Sequence, residues 1–185
     1  MLSIIITHYK SPELLKLCLT YLEKHAPAGS EIIVSDRETI ERTRAMMAGD
    51  FPQIALLETE TNVGFAKLVN RALSMARGDF FLILNADIVV PDSAAIPTML
   101  AYLKAHPEVG MLGPRILNPD GSHQSSCFRF YAPLTVLARR TFLGRTEWGK
   151  RELARFLIST SHGGTDEAAG AFPVPSPSRR GRTTV

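Results

Sequence analysis

The 185-residue chain is poor in cysteine, with two, and has a single tryptophan. A disulfide-stapled secreted scaffold is thereby excluded, because a chain of this size buries roughly two-thirds of the surface its unfolded form exposes and needs no covalent cross-links. Cys18 falls on an apolar helical face with Leu14, Leu15 and Leu22, and Cys127 lies far away in a polar stretch, so both read as free thiols of a reducing compartment. No apolar run approaches the roughly 20 residues that span a bilayer, and the opening MLSIIITHYK lacks the basic leader of a secretory signal, which leads us to expect a cytoplasmic protein. Glycine is missing from the turn Thr7-His8-Tyr9-Lys10-Ser11-Pro12 that follows the first strand pattern. That absence argues against a dinucleotide dehydrogenase and a P-loop enzyme alike, since both cradle phosphate on a glycine-rich turn at this point.

What is present is the composition of a folded domain, 45% hydrophobic and 21% charged. The net charge of +3 hides an asymmetry, for residues 1–110 carry 10 Lys and Arg against 13 Asp and Glu, and residues 111–185 carry 11 against 5. A basic second half suits phosphates, nucleic acid or an anionic membrane, and equally a solvated surface.

Two periodicities alternate through the first half. Leu2 to Thr7, Glu31 to Ser35, Ile54 to Leu57 and Phe80 to Asn85 read as short strands. Between and after them, helices are predicted from Ser11-Pro12 to about Lys24, over Glu38 to Met47, Phe65 to Ala76 and Asp92 to Ala105, followed by a strand over Val109 to Leu117. Strands that are apolar on both faces and separated by helices imply a mostly parallel α/β sheet covered on both sides. Ligands of such sheets bind beyond the carboxyl ends of the strands. The positions to search are therefore Thr7 to Lys10, Asp36 to Arg37, Asn62 to Phe65 and Asn85 to Asp87.

Asn118-Pro119-Asp120-Gly121 is a turn signal. Residues 133–158 then read as a basic amphipathic helical stretch, compatible with an anionic membrane surface or with packing that leaves a basic face in water. Its aromatics follow the apolar helical pattern and not a stacking platform, so nucleic acid is not expected as a partner. The last 27 residues hold 15 Gly, Pro, Ser or Thr and only six apolar residues, a composition that favours a flexible or disordered tail.

Without a glycine loop, a diphosphate-handling protein of this fold needs a divalent cation held by carboxylate at a strand end. Asp87, two residues past the strand FFLIL, is the candidate; side-chain alternation puts Asn85 and Asp87 on one side of the extended chain. Asx residues after strands also form turns, so the spacing alone leaves both readings open. Asp36 is similarly poised to contact a base or ribose, or to end its strand. His8 has no partner at metal-ligand spacing, and His25 and His106 sit at predicted helix C-termini, where a positive charge is favourable.

Taken together, SIIITHYKSPELLKLCL, EIIVSD, NVGFAKLVNRAL with ARGDFFLILNADIVV, and VGMLGPRILNPDGSHQSSCFRF resemble the family 2 glycosyltransferases of GT-A fold, most closely the rhamnosyltransferase-like members that use a nucleotide diphosphate sugar. The resemblance covers about residues 2–143. It implies that Thr7, His8 and Tyr9 cradle base and ribose, and that Asp36 points at the base. It further implies that Asn62, Gly64, Phe65, Asn70 and Asn85 line the donor pocket, and that Asp87 binds a Mg²⁺ or Mn²⁺ bridging the donor diphosphate. Implied partners are a dTDP- or UDP-sugar, with rhamnose the expected sugar, and a saccharide or lipid-linked acceptor in cell-surface polysaccharide synthesis. A peripheral position at the inner face of the membrane would suit such an acceptor.

Relatives continue with a W-x-x-G-A-type segment and an E-D-x-D-type segment that supplies the general base. Here Asp166-Glu167-Ala168-Ala169-Gly170-Ala171-Phe172 faintly echoes the first and nothing matches the second, which leads us to expect a truncated acceptor side whose general base is missing, with Asp166 a weak candidate to replace it. The expected organisation is a nucleotide-sugar-binding GT-A domain over 1–125, a basic helical acceptor-side segment over 126–158 and the tail over 159–185. A catalytically incomplete fragment that only binds nucleotide is the alternative. A nucleotidyltransferase would need a G-x-G-T-R-type loop after the first strand, which this chain lacks.

Overall fold

Every residue from Leu2 to His8 is buried. Such a strand must be the centre of a sheet covered on both faces, and that is what the run of β-branched side chains forms. The computed structural model describes residues 1–61, 63–114, 116–118, 120–124, 146, 147, 150, 151 and 168–173. The chain divides into two units, one holding residues 1–101 and the other residues 102–177.

In the first unit, β1 (Leu2–Tyr9), β2 (Glu31–Arg37), β3 (Ala55–Leu57) and β4 (Phe80–Asn85) form a parallel sheet in the order β3-β2-β1-β4. The register pairs Thr7 with Ser35 and Asn85, and Tyr9 with Arg37, so the carboxyl ends of β1, β2 and β4 reach one rim together. Helices α1 (Pro12–His25), α2 (Glu41–Asp50), α3 (Phe65–Met75) and α4 (Ala95–Ala105) connect and follow the strands. Alternation along β1 feeds two cores. Ile4 and Ile6 pack with Leu15, Cys18, Leu19 and Leu22 of α1, with Val34 and Ile96, while Ile5 packs with Ile33, Leu57 and Ala72 of α3 on the other face.

Several boundaries differ from the periodicity. Helix α2 begins at Glu41 and not at Glu38, because Glu38 has a left-handed backbone (φ 52°) and the Thr39 N–H is spent on the Thr59 carbonyl. Asp92 precedes α4, its Oδ1 accepting the Ala94 N–H at 2.8 Å in a local turn. Along β4, Leu82 and Leu84 join the larger core, whereas Phe81 and Ile83 are exposed. Helix α3 lies over β1 and β2.

In the second unit the strand expected over Val109 to Leu117 is two strands, β5 (Val109–Pro114) and β6 (Ile116–Leu117). β6 forms an antiparallel hairpin with β7 (His123–Gln124) about the expected turn, where Gly121 has φ 80° and its N–H donates to the Asn118 carbonyl. β5 pairs antiparallel with β8 (Ala168–Pro173) and is no part of the parallel sheet. The strand β8 falls within the segment 159–185 read from its composition as a tail, a run of small and apolar residues that pairs with an open edge. The rest of the tail, and most of the basic stretch over 133–158, lie outside the described residues.

Gly78 shows how tightly β4 is set beside β1. A methyl group there would stand 2.5 Å from Ser3 Oγ, 2.7 Å from Ser3 N and 2.9 Å from the Met1 carbonyl oxygen. Gly78→Ala is expected to cost about 1–3 kcal/mol through overpacking against β1 backbone. Urea denaturation checks this, and an unchanged midpoint would contradict the close approach.

Candidate functional site

At the shared rim, the strand ends and two helix starts enclose an open cleft of about 280 Å³. Its lining comes from β1 and the turn after it (Thr7, His8, Tyr9, Ser11), from Leu14 of α1, Arg37 of β2, Phe65 and Leu68 of α3, and Asn85, Ala86 and Asp87 at the end of β4. Helices α1 and α3 both begin here, so the partial positive charge of each N-terminus faces the cleft. Gly64, directly before α3, has φ 77°, a left-handed conformation that costs little only for glycine and that turns the chain into the helix at the cleft edge.

The end of β4 is held from below. The Thr7 hydroxyl donates to Asn85 Oδ1 at 2.9 Å, the Ala86 N–H donates to the Thr7 carbonyl at 3.0 Å, and the Ile88 N–H donates to the Asn85 carbonyl at 3.1 Å. Ala86 is buried, while Asn85 and Asp87 on either side of it are exposed, as alternation along the chain requires. Three residues further on, His25 Nδ1 lies 2.7 Å from the Val90 carbonyl and ties this segment to the end of α1. Burial pushes the Cys18 thiol up to about 11, and the negative charge of Asp87 adds to that shift.

Beneath the β1 and β2 ends, His8 and Asp36 form a pair with both side chains wholly buried, Nδ1 to Oδ1 at 2.7 Å. The Ser11 N–H donates to His8 Nε2 at 3.0 Å, so the ring is neutral and its proton sits on Nδ1, donated to Asp36. With both ring nitrogens engaged, His8 is a structural imidazole under the cleft. Asp36 Oδ2 is buried without a hydrogen-bond partner among the described residues. Thr59 secures the same segment by donating its hydroxyl to the Asp36 carbonyl at 2.7 Å.

The rim itself carries the second tier of β1–β2 partners. Arg37 lies over the Tyr9 ring, with its guanidinium carbon 3.7 Å from the ring centroid, and Lys10 Nζ is 5.0 Å from the same centroid. Lys10 and Glu38 pair at 2.6 Å, and both have left-handed backbones, φ 49° and 52°. This pairing holds the Glu38 carboxyl below its usual range, chiefly through the hydrogen bond from Lys10, and raises Lys10 through the same bond. Two adjacent non-glycine residues in this conformation, each costing of the order of 1–2 kcal/mol, mark backbone strain kept at a rim where ligands bind.

Of the residues singled out in the sequence, Thr7, His8, Tyr9, Phe65, Asn85 and Asp87 line this one cleft. Asp36 lies under it, Gly64 stands at its edge, and Asn70 is exposed further along α3, away from the lining. Asn62 and Asp166 lie outside the described residues. Arg37 and Ala86 fall within the rim stretches marked in the sequence, without a donor role assigned to them, whereas Ser11, Leu14 and Leu68 lie outside those stretches. Among the described residues no cluster of three His, Cys, Asp or Glu is placed to hold a metal by itself, and no helix is long and apolar enough to cross a membrane.

Comparison with known proteins agrees with this architecture. The O-antigen biosynthesis protein RfbC of Myxococcus xanthus is 26% identical over 177 residues, 94% of this chain, and the chain spans 13% of that relative's length. The mannosyltransferase PcManGT from Pyrobaculum calidifontis, solved in complex with GDP-Man and Mn²⁺, superposes with a TM-score of 0.57 at 25% identity, over 64% of this chain and 36% of that one. S. aureus TarS superposes with a TM-score of 0.53 at 23% identity, over 71% of this chain and 24% of its own, a likeness of fold. The profile of glycosyl transferase family 2 matches residues 3–155. With its parallel sheet, its rim cleft and a family match over most of its length, the chain belongs to glycosyl transferase family 2.

Proposed function

We propose that the chain binds a nucleotide diphosphate sugar in the rim cleft and passes the sugar, with inversion, to a saccharide or lipid-linked acceptor in cell-surface polysaccharide synthesis. The observation that carries this reading is the exposed Asn85 and Asp87 at the carboxyl end of a parallel strand, in one cleft with Tyr9, Arg37 and Phe65. The O-antigen role named for the Myxococcus relative supports the polysaccharide context, and a solved relative holding a sugar nucleotide with Mn²⁺ supports the donor class. The motifs favour a dTDP- or UDP-sugar with rhamnose as the sugar. The basic stretch over 133–158 favours peripheral contact with the inner membrane face.

The donor set suits a hard divalent cation. Asp87 is the carboxylate among the cleft-lining residues and Asn85 adds an amide oxygen, a set that binds Mg²⁺ or Mn²⁺ together with substrate phosphate and water. Such a cation, when bound, supplies positive charge where the leaving diphosphate gains negative charge. The chain's own residues orient the donor. The N-termini of α1 and α3 favour the diphosphate, Phe65 offers an exposed ring face, and the His8–Asp36 pair keeps the floor rigid. Transfer then forms the bond from the acceptor oxygen to the anomeric carbon while the bond from that carbon to the diphosphate oxygen breaks. The acceptor hydroxyl proton goes to a general base.

Calorimetric titration with UDP or dTDP in the presence of Mn²⁺ tests the proposal. Saturable heat that disappears with EDTA is expected; no cation-dependent heat would remove the donor reading.

A further inference from the structure

The loop that carries Asp87 is fastened at two points, and the second is the far end of α1. Upstream, the Ala86 N–H donates to the Thr7 carbonyl at 3.0 Å, and a turn closes from the Ile88 N–H to the Asn85 carbonyl at 3.1 Å, with Asp87 inside it. Downstream, residues 88–91 belong to neither helix nor strand. Among the described residues, their one hydrogen bond to a distant element runs from His25 Nδ1 to the Val90 carbonyl, at 2.7 Å and across 65 positions of sequence.

A carbonyl oxygen only accepts, so Nδ1 carries the proton, in the neutral ring and in the imidazolium alike. The ring is itself held in place. It is half-buried in the last turn of α1 and meets Tyr21 of the same helix edge-on, with centroids 5.9 Å apart. Val90, at the other end of the bond, packs against the larger core. We infer that His25 is a positioning residue for the donor site: by holding Val90 it keeps the Asp87 turn in the arrangement that takes the cation. His25 is not among the cleft-lining residues, so it acts through the loop and not on the ligand. A loop that leaves its binding arrangement part of the time binds with an affinity reduced by that fraction, and one hydrogen bond is enough to change the fraction several-fold. This inference rests on the donor-site reading above.

The test compares wild type with His25→Phe, which keeps a ring beside Tyr21 and loses the donor, and with His25→Asn, whose side-chain amide offers an N–H near the place of Nδ1. Two quantities are read on the full chain: calorimetric binding of UDP with and without Mn²⁺, and hydrogen exchange over residues 86–92, with thermal unfolding as the control for folding. His25→Phe is expected to weaken cation-dependent UDP binding roughly three- to tenfold, the scale of one hydrogen bond, to speed exchange over 86–92, and to leave binding without the cation unchanged. His25→Asn is expected to recover most of the affinity and the protection. Wild-type affinity in His25→Phe would overturn the inference, as would an equal loss in both variants or a loss that extends equally to UDP without Mn²⁺. If wild type binds no UDP with the cation, the donor-site reading itself falls and the inference with it, whereas normal wild-type binding with an unresponsive His25→Phe overturns the inference alone.

Discussion

Asp87→Ala is expected to abolish cation-dependent nucleotide binding while leaving the folded state almost untouched. The side chain is exposed and supports no element of the sheet, so the change in stability should stay within about 0.5 kcal/mol. Binding should fall roughly a hundred-fold or more, because the cleft would lose the carboxylate proposed to hold the cation, and the charge such a cation supplies to a diphosphate is worth several kcal/mol. Asp87→Asn keeps the shape and removes the charge, and should behave like the alanine variant. Titration of UDP with and without Mn²⁺ separates the effects: the cation-dependent part of the affinity disappears and any weak cation-independent part remains. Full cation-dependent binding by either variant would show that the diphosphate is held elsewhere.

His8→Leu should act in the opposite manner, on stability first. It leaves Asp36 buried without the hydrogen bond on Oδ1, when Oδ2 already has no partner among the described residues. Leaving a buried acceptor without its donor costs about 1–3 kcal/mol, and more for a carboxylate, a large share of the 5–15 kcal/mol that typically holds a domain folded. The double variant His8→Leu with Asp36→Leu removes the stranded carboxylate and is expected to be more stable than His8→Leu alone, since only the Ser11 N–H is left unpaired. Urea unfolding of the two variants checks the order. A single variant as stable as wild type would mean that the pair contributes nothing to the floor of the cleft.

The parallel sheet was legible because its strands are short, β-branched and apolar on both faces, a pattern that few other arrangements can bury. Leu2 to Thr7 and Phe80 to Asn85 announce themselves in this way, and the helix starts at Pro12 and Phe65 carry proline and glycine signals. What stayed hidden depended on partners distant in sequence. Nothing local says that β5 leaves the parallel sheet to pair with Ala168–Pro173, because a strand's partner is chosen by open edges and not by its own residues. Glu38 belongs to a helical pattern, yet its pairing with Lys10 and its left-handed backbone delay α2 to Glu41. The rim residues Thr7, Tyr9, Phe65, Asn85 and Asp87 were found from strand ends together with the family resemblance. Asp36 shows the limit of that route, for its chemistry suited a ligand and only the fold revealed His8 as its partner.

The most direct measurement is anomalous scattering from a crystal of the full chain soaked with Mn²⁺ and UDP. The account predicts a manganese peak beside the Asp87 carboxylate, with the UDP in the same rim cleft. A peak at any other rim of the sheet, or UDP bound with no manganese near Asp87, would contradict it.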